Sequence, residues 1–89
     1  MFKWDFAKNR LLLQSRGITF EEVIEAICEG YVVSDTIHPN VKKYPNQRLL
    51  IVHLKDYTFA VPYLIDGNDI ILKTIIPSRK AHKMYRGGE

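Results

Sequence analysis

The side chains able to do chemistry in this 89-residue chain are mainly cationic and aromatic. Arg48 opens a candidate strand and Lys73 lies within the last one. Arg79, Lys80, Lys83 and Arg86 crowd the segment just beyond it. Tyr44, Tyr57, Tyr63 and Tyr85 could stack on bases. A guanidinium offers N–H donors in a fixed fork that matches phosphate oxygens. Single-stranded RNA adds stacking on aromatic rings. The same residues could also cleave RNA without a metal, by attack of a ribose 2′-OH on the adjacent phosphorus. That reaction needs a base for the 2′ proton, cations for the developing phosphorane charge and an acid for the 5′-oxygen. Arginine and lysine side chains can hold that charge, and Lys73, Lys80, Lys83 and Arg86 can bind the flanking backbone. A histidine or tyrosine can serve as the base or the acid, and His53, on a strand, is aimed at one fixed face. The competing reading of His53 is a half-buried structural histidine. His38, before Pro39, reads as a turn cap, and His82 as a surface member of the basic helix face.

Other chemistries find no residues. The three histidines show no HxH or HxxxH spacing, and Asp66 and Asp69 fall in a turn, so no metal site is expected. There is no Walker loop, no GxGxxG and no Gly-x-Ser-x-Gly elbow, so no phosphate-cradling loop or serine triad can be named, and no cofactor is expected. The single cysteine, Cys28, excludes an internal disulfide and reads as a small core residue.

The elements that must position these residues follow from local signals. Phe2-Lys3-Trp4 alternates as a short edge strand. Asp5 is placed to cap a helix over about 6–16, with Ala7, Leu11, Leu12 and Leu13 on a broad apolar face and Gly17 as its stop. Thr19-Phe20-Glu21-Glu22 is a capping box. It starts a second helix, about 20–29, that buries Phe20, Val23, Ile24, Ile27 and Cys28 and exposes Glu21, Glu25 and Glu29. Strands are expected over 31–37, 47–54, 57–65 and 70–76. They are separated by a basic loop around Val41-Lys42-Lys43-Tyr44, a tight turn at Asp56 and a hairpin turn at Asp66-Gly67-Asn68-Asp69. Pro77 ends the last strand. Ser78 caps a final helix, about 79–86, with Arg79, His82, Lys83 and Arg86 on one face and Ala81, Met84 and Tyr85 on the other. Gly87-Gly88 then ends the ordered chain. The expected layout is β-α-α-β-β-β-β-α. This is an α+β fold, a twisted antiparallel sheet with two N-terminal helices and a short basic C-terminal helix.

The chain is one domain long, 1–89, with 46% apolar and 26% charged residues, which argues against disorder. The opening MFKWDFAKNR has no apolar h-region, so no signal peptide is expected. No apolar run approaches the about 20 residues of a membrane span. A reducing cytoplasm is the expected compartment. The net charge of +3 is unevenly spread. Residues 1–35 carry four basic and six acidic side chains; residues 36–89 carry nine and four. A polyanion on one face accounts for such a split, and so does an unevenly charged solvated surface.

Phe2-Lys3-Trp4-Asp5-Phe6-Ala7-Lys8 followed by Arg16-Gly17-Ile18-Thr19-Phe20-Glu21-Glu22 resembles the BrnT family of bacterial toxins, in the RelE/ParE-like superfamily. Ile76-Pro77-Ser78-Arg79-Lys80-Ala81-His82 looks like that family's basic C-terminal motif, and Gln47-Arg48 stands where the family opens a strand with an acid and an arginine. Arg16 stands in place of a histidine, Thr74 in place of an arginine, Tyr63 about where a strand histidine is common, and Gln47 in place of the acid. The resemblance implies a RelE-like toxin of a type II toxin–antitoxin pair, an endoribonuclease that blocks translation. It also implies a ribbon-helix-helix antitoxin partner, with the complex binding operator DNA. By motif, Arg48 and Arg79 match site arginines, which would hold the scissile phosphate and its transition-state charge. Lys80 matches a basic position, and Tyr85 falls near a tyrosine common at that end; on this reading His53 or Tyr85 is the candidate for proton transfer. Two other readings use the same basic face: a non-catalytic RNA- or DNA-binding module, and a protein-interaction subunit that docks an acidic partner.

Overall fold

The computed structural model describes residues 1–86; the side chain of Arg86 and residues 87–89, with the stop expected at Gly87-Gly88, lie outside the described part. The element order is β1 (Phe2–Lys3), α1 (Phe6–Arg16), α2 (Phe20–Cys28), β2 (Val32–Ile37), β3 (Arg48–Leu54), β4 (Tyr57–Asp66), β5 (Asp69–Leu72), β6 (Ile76–Pro77) and α3 (Arg79–Arg86). The α+β class is as expected: two N-terminal helices, a mostly antiparallel sheet and a short C-terminal helix.

Local chemistry sets the helix ends. The Lys8 amide donates to Asp5 Oδ1 at 3.1 Å, capping α1. Gly17 closes α1 in the left-handed region, φ 66°, where its N–H reaches the Leu13 carbonyl. The Thr19–Glu22 capping box is complete. Asn9 ties the two helices together: its side-chain amide donates to Glu21 Oε1 at 2.6 Å, and its oxygen accepts from the Phe20 amide at 2.8 Å.

The sheet order is β1-β5-β4-β3-β2, with β1 parallel to β5 and the remaining pairs antiparallel. β4 is ten residues long and serves two neighbours on its outer side. Its C-terminal half pairs β5, and Phe59 and Ala60 pair β6. The single strand expected over 70–76 is therefore two short ones. At the break, the Lys73 amide donates to the Pro62 carbonyl at 2.8 Å and Ile75 turns fully into the core. Lys55 and Asp56, both at positive φ, form the two-residue turn that the right-handed twist of β3 and β4 favours.

The two sheet faces are covered unequally. Leu12, Ile18, Phe20 and Val23 pack on Leu50, Val52, Val61, Tyr63 and Leu72 to form the main core under α1 and α2. On the opposite face a smaller cluster of Ile51, Ala60 and Ala81 holds α3 to the sheet. Three burial expectations change. Of the α1 apolar face only Leu12 is buried; Leu11 and Leu13 are exposed. Cys28 is exposed and Ala26 takes its place in the buried stripe, because at 100° per residue Phe20, Val23, Ala26 and Ile27 share the side that meets the core and Cys28 falls outside it. Met84 is 60% exposed, so α3 docks through Ser78, Ala81 and His82. Among the described residues no helix is long and apolar enough to cross a membrane.

Candidate active site

At the turn end of the β3–β4 hairpin lies a cleft of about 740 Å³. Glu22, Glu25 and Ala26 of α2, with Glu29 at its C-cap, form one wall. Lys55, Asp56 and Tyr57 of the turn, with Tyr31, His53 and His82, complete it. His53 comes from β3, on the face that carries α3, and its amide donates to the Tyr31 carbonyl at 2.9 Å. His82 comes from the middle of α3.

One hydroxyl joins the two histidines. Thr58, paired with His53 across the hairpin and fully buried, places Oγ1 2.9 Å from His53 Nδ1 and 3.0 Å from His82 Nδ1. With Nδ1 engaged, Nε2 is the nitrogen each ring has left to offer the cleft. Tyr57 stacks on His82 with ring centroids 4.3 Å apart and meets Phe59 edge-on at 5.7 Å. The imidazole of His82 is thus fixed by a hydrogen bond at its edge and a ring on its face.

α3 is held here by its own start. The Ser78 amide donates to the Thr58 carbonyl at 3.0 Å, and Ser78 Oγ accepts from the Ala81 amide at 3.1 Å as a cap. On an α-helix, positions 78, 81, 82 and 85 form one stripe. That stripe faces the sheet, so His82 lies inward of the cations instead of among them. Arg79, Lys80 and Lys83 are exposed around it, and Arg79, three residues before His82, is its neighbour on the helix surface. Tyr85 is 37% exposed one turn beyond His82.

The other wall of the cleft is acidic and partly neutralised. Lys55 Nζ pairs with Glu22 Oε2 at 2.9 Å and donates to the Gly17 carbonyl at 2.6 Å. Burial pushes the Glu22 carboxyl up, but Lys55 and the Thr19 donors outweigh it and hold Glu22 below the ordinary carboxylate range.

Arg48 stands apart from this site. It opens β3, five positions before His53, which is about 17 Å along an extended strand and on the opposite face. Its Nε donates to Asp35 Oδ1 and to the Tyr63 hydroxyl, each at 3.2 Å, and Nη2 reaches the Asp35 carbonyl at 3.3 Å. The Tyr63 hydroxyl donates in turn to both Asp35 carboxylate oxygens at 2.8 Å. The hydrogen bond to Tyr63 and the Asp35 carboxylate hold the Arg48 guanidinium more firmly protonated. Burial, reinforced by Asp35, raises the Tyr63 phenol against the opposing pull of Arg48.

The candidate residues thus divide into separate groups. His53 is brought beside the start of α3, with Arg79, Lys80 and Lys83 on the helix surface and Tyr85 a turn further on. Arg48 belongs to the Asp35–Tyr63 cluster at the other end of β3. Lys73 lies exposed in the β5–β6 break, and Arg86 carries no described side chain. His82, Thr58 and Tyr57 are the additional members of the site. Their only trace in the sequence is His82 on a helix and Tyr57-Thr58 at a strand start.

A scan of the chain against protein-family models gives no match, and a search of curated proteins gives none. The likeness to BrnT toxins rests on the motifs of this chain alone.

Proposed function

We propose that this protein is a metal-independent endoribonuclease, the toxin of a type II toxin–antitoxin pair, which inhibits translation in the cytoplasm. A ribbon-helix-helix antitoxin neutralises it, and the complex of the two binds operator DNA. The observation that carries this reading is the pair of histidines bridged by Thr58 at the foot of a cationic helix. Cleavage at a ribose 2′-OH needs a proton acceptor, a proton donor and positive charge within one phosphodiester of each other. His53 and His82 offer the first two. Arg79, next to His82 on α3, offers a fork for the phosphate, and Lys80 and Lys83 extend the cationic surface along the strand. Tyr57 and Tyr31 offer rings at the cleft for an unstacked base.

The test is expression without antitoxin, together with incubation of the purified protein with single-stranded RNA in the presence of a chelator. Growth arrest, with RNA cut to 2′,3′-cyclic phosphate ends, is expected. Arg79→Ala and His53→Ala relieve both. Salt-dependent binding that leaves RNA intact assigns the basic surface to a non-catalytic module. Normal growth on induction of the wild type refutes the toxin reading.

A further inference from the structure

We infer that the Thr58 hydroxyl locks His53 and His82 in opposite tautomers, making their cleft-facing nitrogens a matched acid and base joined by a proton relay. Thr58 Oγ1 lies within hydrogen-bond distance of both Nδ1 atoms, at 2.9 and 3.0 Å. A hydroxyl has a single proton to donate, so in the neutral pair it donates to one Nδ1 and accepts from the other. The ring that receives the proton has a bare Nδ1 and therefore carries its own hydrogen on Nε2. The ring that donates has its hydrogen on Nδ1 and leaves Nε2 bare. One imidazole then presents an N–H to the cleft and the other presents a lone pair. Two unlinked neutral histidines have no such correlation.

The substrate of this pair rests on the ribonuclease reading; the tautomer lock does not. Take the setting in which Thr58 donates to His53. His82 Nε2 accepts the proton of the ribose 2′-OH as its oxygen bonds to phosphorus. The Nδ1 proton of His82 passes to Thr58 Oγ1, and the Thr58 proton passes to His53 Nδ1. His53 releases its Nε2 proton to the departing 5′-oxygen as the P–O5′ bond breaks. Four protons move, one P–O bond forms and one breaks. Both rings end neutral with their tautomers exchanged. Neither imidazolium nor imidazolate accumulates beside the acidic wall of Glu25, Glu29 and Asp56. The exchanged setting is the one that adds water to the cyclic phosphate with the roles reversed. Thr58 touches no substrate in this scheme: it is a positioning residue, while His53 and His82 are the catalytic ones.

Its burial makes Thr58 suited to the task. At 0% exposure its hydroxyl meets no bulk water that could supply either ring with a separate partner. The stacked Tyr57 ring restrains His82 from swinging out of line.

The experiment records the ring-nitrogen shifts of selectively labelled histidine in alkaline buffer, in wild type, Thr58→Val and Thr58→Ser, beside RNA cleavage by each. Wild type shows one Nδ1–H ring and one Nε2–H ring; averaged shifts on both rings overturn the lock. Thr58→Val loses the opposition and cleaves about 100-fold more slowly, the lower end of what positioned acid–base groups supply. Thr58→Ser restores both readouts. His53 and His82 in the same tautomer in the wild type overturn the inference, whatever the RNA does. So does full cleavage by a folded Thr58→Val protein. Opposed tautomers in a wild type that cuts no RNA leave the lock standing and bring down the ribonuclease reading instead.

Discussion

Replacing Tyr63 with phenylalanine isolates the Asp35–Arg48–Tyr63 cluster, because the ring that fills the core is retained and only the hydroxyl is lost. Tyr63 is 7% exposed, so its ring packs as before. The hydroxyl donates to Asp35 at 2.8 Å and accepts from Arg48 Nε at 3.2 Å. A hydrogen bond to a charged group contributes about 1.5–3 kcal/mol. Asp35 and Arg48 are 43% and 39% exposed, so water replaces part of what each loses, which places the cost at the low end, about 1–1.5 kcal/mol. For a domain of this size each kcal/mol shifts the melting temperature by about 4–8 °C, so Tyr63→Phe melts roughly 4–12 °C below wild type. The urea slope stays unchanged, since the same surface is exposed on unfolding. The pH dependence has a definite sign. The folded phenol titrates above its unfolded value, so its contribution is complete below about pH 10 and is lost as pH rises through the raised folded value. The phenylalanine variant lacks that alkaline step. A Tyr63→Phe protein that melts within about 1 °C of wild type would falsify the argument that the hydroxyl bonds the cluster together.

Burial predicts opposite fates for two adjacent isoleucines. Ile75→Ala, at a fully buried position, lowers stability by about 2–4 kcal/mol in urea melts, while Ile76→Ala, 43% exposed, stays below about 1 kcal/mol. Equal losses would overturn the placement of Ile75 in the core and Ile76 at the surface. Glu22→Gln keeps an acceptor for Thr19 but loses the charge facing Lys55, whose pair is 51% and 30% exposed, so it costs about 0.2–1 kcal/mol at neutral pH. The lowered folded carboxyl makes the wild-type advantage present above the unfolded value of about 4.3 and lost as pH falls through the folded one; a difference that persists at pH 2 counts against the ion pair.

What was legible in the sequence was whatever its own neighbours decide. Asp5, Gly17 and the Thr19–Glu22 pair act within one helical turn, and each acts as its residue type dictates. The hairpin turns were legible for the same reason. The β5–β6 break was not, because Ile70 to Ile76 is β-prone almost throughout. The interruption is a one-residue shift of register: Leu72 faces Tyr63 while Ile76 faces Ala60, so one extra residue lies between β5 and β6. Nor was the docked stripe of α3. Charge alone groups Arg79, His82, Lys83 and Arg86, and all four do share a helix face. Which edge of that face turns inward depends on Thr58 and Tyr57, more than twenty residues earlier in the chain, whose hydroxyl and ring both meet His82. His53 could be named as a candidate from its strand position, but its partner could not.

The uneven charge of the chain takes on a spatial meaning at the cleft. The acids of the first half are concentrated on α2, where Glu25 and Glu29 line the wall facing the histidines. The cations of the second half surround the start of α3 on the opposite side, at Arg79, Lys80 and Lys83. A polyanion approaching this end of the fold is repelled by the acidic lining of the cleft and attracted to the cations on α3, so the field selects its side before any contact forms. Lys55 does not blur this division, because its charge is spent on Glu22 and the Gly17 carbonyl. A phosphodiester drawn to α3 meets Arg79 and then His82, whose ring is already fixed by Tyr57 and Thr58. Arg48 cannot serve the same phosphate from the far end of β3 and the other face of the sheet. If it acts in binding, it does so on a separate stretch of the partner, and only after giving up part of its hold on Asp35.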